Sequence, residues 1–314
     1  MVSSFPIPSR GALLGLLFAL FSFPVAFVAY AADSTAPRSG KWAHETAKLE
    51  PDARVVWGRL DNGFRYALLP HHGVPGRVAL QLVVLSGSLD EQPNELGIAH
   101  FTEHMAFGGS KNFKADDMVA LFQRLGVEYG SDVNAVTTFD YTAYRLDFRD
   151  NTQPLIKEGL RLFRDFGDGV IFDPVVIERE RRVVLAELRN RSSLSDQQQQ
   201  ASLPVVFRGL QFPNRTPGGS EAQIAKFTRD DFLRFYQRNY RPDLMVLVGA
   251  GDFDPAFLSA EVREIFGSME RPREPIPGRE EGRLDARSLR AGLFRIGGVG
   301  SASAEVSSVV PPPS

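Results

Sequence analysis

His100 and His104 stand four residues apart with Glu103 beside the second, in a chain of 314 residues that has five histidines and no cysteine. On a helix of about 3.6 residues per turn this spacing projects both imidazoles from one face, where they can hold a single ion. Glu103 then lies on the adjoining edge of that face. The order His100-Phe101-Thr102-Glu103-His104 reverses the commoner His-Glu-x-x-His arrangement of two ligands and a base. With no thiolate available, an ion here has to be held by imidazole and carboxylate. Zinc fits that donor set, and a catalytic zinc has three protein ligands and an open position for water. The chemistry would be activation of water and polarisation of a carbonyl, with Glu103 accepting the water proton and passing it to a leaving amine. A histidine pair at this spacing also arises as an ordinary polar helix face, so a third ligand decides the matter.

Glu180 and Glu187 are the candidates for it. A helix opening at Asp173-Pro174, a cap followed by a first-turn proline, presents the two carboxylates seven residues apart on a strip shared with Val183 and Val184. A carboxylate on an apolar strip needs a partner. Glu187 is the choice for the third ligand, with Glu180 orienting a histidine N–H or holding an electropositive neighbour. By these criteria alone either carboxylate could face the metal. The competing reading is an arginine-paired solvated face, given the run Glu178-Arg179-Glu180-Arg181-Arg182. His44, His71 and His72 fall in loop or arm sequence and are read as solvated.

The elements that must position these residues follow from periodicity and turn chemistry. Asp61-Asn62-Gly63 between 55–60 and 64–69 predicts a hairpin, and 78–85 a buried strand. Asn94 can cap a helix that carries the histidines to Phe107 and ends at Gly108-Gly109. Further helices are predicted over 115–125, 153–166 and from Asp173, with a strand pair at 133–138 and 141–148 between the first two. The segment 192–201, with four consecutive glutamines, reads as a helix end or loop. Thr228 can cap a helix ending near Tyr240, before a buried strand at 244–249 and a last helix over 257–269. Runs of strands and runs of helices predict an α+β fold, a two-layer sheet-and-helix domain over residues 53–269.

At the N-terminus, Arg10 precedes the apolar run 12–28 and the small-x-small sequence Ala29-Tyr30-Ala31, the form of a signal peptide cleaved after residue 31. Export to the periplasm or out of the cell is expected, with no stable membrane insertion once the signal is removed, and residues 32–52 as a polar arm. Residues 270–314, rich in proline, glycine and arginine, are expected to be disordered. With 36 basic and 38 acidic residues the net charge is −2, which offers a nucleic acid no net attraction. The 43% hydrophobic content is enough for a core.

His100-Phe-Thr-Glu103-His104-Met-Ala-Phe, the later Glu180 and Glu187, and Asn134-Ala135-Val136-Thr137 leading to Thr142-Ala143-Tyr144 resemble the pitrilysin/insulinase peptidases, the inverzincin (M16) zinc metallopeptidases. The likeness spans about residues 55–269. It implies the pitrilysin/processing-peptidase domain, with one Zn²⁺ on His100, His104 and Glu187, Glu103 as base and Glu180 supporting. It also implies that the strand at Asn134 and Ala135 is an edge that pairs with an extended peptide or unfolded protein segment. Family members act as two homologous halves closing over the peptide, and this chain holds one such unit. A truncated or frame-shifted product is therefore expected, or a half needing a second half or a homo-oligomer. The activity implied is a zinc endopeptidase; the alternative is a catalytically incomplete peptide-binding or assembly module.

Overall fold

The hairpin at the start of the domain is built by its turn. Gly63 takes a left-handed φ of 93°, where an added Cβ would meet Asp243 Cβ at 2.6 Å, and Asn62 Nδ2 donates to the carbonyls of Phe266 at 2.8 Å and Met269 at 3.1 Å. It joins β1 (Val56–Arg59) to β2 (Arg65–Pro70) in antiparallel register. Four more strands follow: β3 (Val78–Val84), β4 (Val133–Thr137), β5 (Thr142–Phe148) and β6 (Met245–Gly251). Their order in the sheet is β1-β2-β6-β3-β5-β4, with only β2 and β6 parallel, so β4 is an edge strand. The computed structural model describes residues 42–45, 50–190, 193–285 and 292. The signal peptide expected over 1–31, and the arm of residues 32–52 apart from 42–45 and 50–52, lie outside them.

Alternation assigns the two faces of the sheet. Leu68, Gly249, Leu80, Leu146 and Val133 form one cross-strand row on the face that meets the helices. Trp57, Ala67, Val248, Gln81, Arg145 and Asn134 form a row on the opposite face, where Trp57 and Val248 are exposed. The helices are α1 (Ile98–Phe107), α2 (Met118–Leu125), α3 (Gln153–Asp168), α4 (Pro174–Asn190), α5 (Leu194–Val206), α6 (Glu221–Ile224), α7 (Arg229–Asn239) and α8 (Pro255–Phe266). The apolar sides of α1–α4 and α6–α8 join the sheet in one core, in which Phe101 of α1 meets Phe232 of α7 edge to face at 4.8 Å. The α+β sheet-and-helix fold is the one the patterning predicts.

Three local expectations change. Asn94 does not open α1: Gly97 at φ 99° interrupts the chain, the helix starts at Ile98, and the buried Glu91 caps it by accepting from Gly97 N and Ala99 N, each at 3.0 Å. The glutamine run lies inside a helix, because Ser193 and Asp196 form a capping box ahead of it. Residues 271–285, read as the beginning of a disordered tail, are tied to the domain. Arg279 bonds Asp90 at 2.7 Å and Asp140 at 2.6 Å, Gln211 N donates to Glu281 O, and Arg241 Nη2 donates to Glu274 O. Buried guanidinium–carboxylate pairing supplies the anchoring that apolar periodicity does not reveal.

Candidate metal centre

α1 is a short helix held on three sides. Ile98, Ala99, Phe101, Met105 and Ala106 are buried in the core, which leaves His100, Glu103 and His104 on the side toward α4 and β4. α4 opens as its sequence predicts, with Asp173 Oδ1 accepting from Val175 N and Val176 N at 2.7 and 3.3 Å. Arg181 fixes it further along: its guanidinium donates to the carbonyls of Ile224 and Phe227 and lies 5.8 Å from the Phe101 ring. The strip around the carboxylates is split, with Val184 buried and Val183 exposed.

The two histidine rings stand edge to face, with centroids 4.8 Å apart. Glu187 Oε2 lies 3.7 Å from His100 Nε2 and 3.7 Å from His104 Nε2, and the three candidate ligand atoms fall within 4.8 Å of one another. Glu180 reaches the other nitrogen of His104, with Oε2 3.5 Å from Nδ1. Thus Glu187 faces both histidines on one side while Glu180 sits behind His104, a division that the sequence leaves open. Two imidazole nitrogens and one carboxylate oxygen converging on one point suit a borderline ion such as zinc, so the residues present fit the metal.

The electrostatics follow. Burial acts to lower the His104 pKa, but the carboxylates of Glu180, Glu187 and Glu103 outweigh it and hold the ring above its ordinary 6.5. The Glu180 carboxyl is held below its ordinary 4.5, first by the hydrogen bond to His104 and also by Arg179, against the effect of burial. Glu103 is buried, and its Oε2 accepts from Thr137 Oγ1.

Asn134 and Ala135 lie on β4, the strand next to α1. Asn134 points to the exposed face, and its Oδ1 accepts from Ala135 N at 2.8 Å. A cleft of about 340 Å³ runs from Glu103 and His104 past Asn134 and Ala135, walled by Phe107, Met118, Phe122 and Tyr129. Arg179 and Glu180 also line it. The apolar lining is missed by motif reading, because Phe107, Met118 and Phe122 carry ordinary helical periodicity. Thr137 does carry a signal, as a hydroxyl at an inward position of an alternating strand.

The fold is shared with solved proteases. The crystal structure of the first half of the periplasmic protease PqqL from Escherichia coli superposes with a TM-score of 0.69 at 30% identity, covering 74% of this chain and 51% of that one. The sequence profile of the insulinase peptidases (Peptidase family M16) matches residues 67–207, and that of the Peptidase M16 inactive domain matches 226–290. The chain belongs to peptidase family M16. Among curated relatives, the probable zinc protease PqqL of E. coli (strain K12) is 33% identical over 223 residues, covering 71% of this chain and 24% of that protein. The chloroplastic stromal processing peptidase of Oryza sativa subsp. japonica is 31% identical over 226 residues, covering 71% of this chain and 17% of that protein. The chain thus spans about a quarter or less of the length of these relatives.

Proposed function

We propose that this chain is the metal-bearing unit of an exported zinc endopeptidase that hydrolyses peptides or unfolded protein segments bound in extended form. The observation that carries the reading is the convergence of one ligand atom each from His100, His104 and Glu187 within 4.8 Å, beside the buried Glu103. His100, His104 and Glu187 would hold one Zn²⁺, and Glu180 fixes the His104 ring through Nδ1. When bound, zinc lowers the pKa of water to about 7 and polarises a carbonyl oxygen.

The remaining work belongs to the chain. An extended peptide adds to the open side of β4 at Asn134 and Ala135, which sets its scissile bond beside α1. Glu103 takes the proton of water as the new C–O bond forms, and delivers it to the departing amine nitrogen as the C–N bond breaks. The cleft takes a neighbouring side chain against its wall of Phe107, Met118, Phe122 and Tyr129. Export rests on the N-terminal sequence and on the periplasmic relative; among the described residues no helix is long and apolar enough to cross a membrane.

A second reading follows from the solved first half of PqqL: a peptide-binding or assembly unit that turns over substrate together with a second homologous half or another copy of itself. Cleavage of an unfolded fluorogenic peptide by the chain, before chelation, after it and after reloading with zinc, separates the two. Hydrolysis lost on chelation and regained with zinc is the expected result. Binding without cleavage in every state favours the second reading.

A further inference from the structure

Thr137 joins the edge strand to the base. It occupies the last position of β4, two residues beyond Ala135 on the same face, and pairs across the ladder with Thr142. Its hydroxyl has one proton and two candidate acceptors, Glu103 Oε2 in a short contact and Thr142 Oγ1 at 3.5 Å. Thr142 Oγ1 gives its own proton to Ser86 O at 3.0 Å and so offers the Thr137 proton only a neutral hydroxyl acceptor at 3.5 Å, weaker than the carboxylate in short contact. The Thr137 side chain is buried on a strand, where a β-branched residue has little rotamer freedom.

We propose that Thr137 is the positioning residue for Glu103: its hydroxyl donates to Oε2 and fixes the carboxylate relative to the strand that pairs with substrate. The inference rests on the reading of Glu103 as the base. The carboxylate could otherwise turn about its terminal torsion, a broad and soft one. The hydroxyl therefore holds base and substrate strand in one register, so its removal lowers turnover without weakening peptide binding.

The test uses Thr137→Val, which keeps the shape and removes the donor, and Thr137→Ser, which restores the donor. The ¹³C resonance of the Glu103 carboxyl, assigned by its loss in Glu103→Gln, is recorded at fixed pH in the full chain. It is expected to move in Thr137→Val and to return toward the wild-type position in Thr137→Ser; an unmoved resonance in Thr137→Val overturns the proposal. In peptide hydrolysis, kcat is expected to fall about tenfold in Thr137→Val with KM unchanged, the size expected for one hydrogen bond to a charged group, and to recover in Thr137→Ser. A raised KM at unchanged kcat overturns it as well. If the wild-type chain hydrolyses nothing, the enzyme reading fails, while the carboxyl resonance still decides the hydrogen bond.

Discussion

His100 and His104 meet a carboxylate between two packed helices, whereas of the neighbours His71 and His72 on the loop after β2, His72 pairs with a carboxylate and His71 with a backbone amide. In the first region the rings leave α1 one turn apart, and α4, locked by Asp173 and Arg181, brings Glu187 to 3.7 Å from both. In the second, adjacent residues project differently: His72 Nδ1 lies 2.6 Å from Asp252 Oδ1, while His71 Nδ1 accepts from Gly73 N. Asp252 also accepts from Gly76 N, a bond that with the His72 contact holds its carboxyl below the usual range. The His72 side chain is 80% exposed, against 9% and 16% for His100 and His104. Having histidine and carboxylate close together is therefore not enough. Convergence needs helical spacing and a second element fixed by the core, and only the buried region has both.

Substitutions at the proposed ligands should break this contrast most strongly. His100→Ala, His104→Ala and Glu187→Gln are each expected to weaken zinc binding more than about 100-fold, the upper range for outer partners of a metal site, as read by competition with a chelator of known affinity. Glu180→Gln, which changes the group behind His104, should cost about 10–100-fold. Equal losses at Glu180 and Glu187 would overturn the division of roles between them.

The pH dependence of the metal-free chain is the next effect. His104 has a folded pKa raised above 6.5, so its charged pairing stabilises the fold fully below the unfolded value and is lost as pH rises through the folded one. Glu180, lowered from 4.5, contributes above its unfolded pKa and loses that as pH falls through the folded value. Melting temperatures measured in chelator should decline for wild type as pH rises above about 6.5, and the decline should flatten in His104→Gln. Zinc binding takes the opposite sign, strengthening over that rise as the proton leaves His104. The smallest effect is expected at His72→Ala: unchanged zinc affinity and a stability change within about 0.5 kcal/mol, measured by denaturant titration.

Much of this was legible in residue types. The motif helix, the capped α4, the Asn62-Gly63 hairpin and the β4–β5 pair are all written in spacing and turn chemistry, because each is decided within a few neighbouring residues. What was illegible depends on distant partners. Glu91 caps α1 across the Gly97 break, so the cap could not be read from Asn94. Arg279 reaches Asp90 and Asp140 far back in the chain, so charged residues that look solvated in isolation anchor 271–285. The separate positions of Glu180 and Glu187 depend on which nitrogen of His104 each one meets, and helical periodicity places both on the same strip.

Glu103 is proposed as a base beside a metal held by its neighbours, and one variant separates that role from metal binding. Glu103→Gln, loaded with zinc and assayed for metal content and peptide hydrolysis side by side with wild type, should retain one zinc ion per chain and lose turnover by about 10²-fold or more. Retained turnover in that variant would rule Glu103 out as the base.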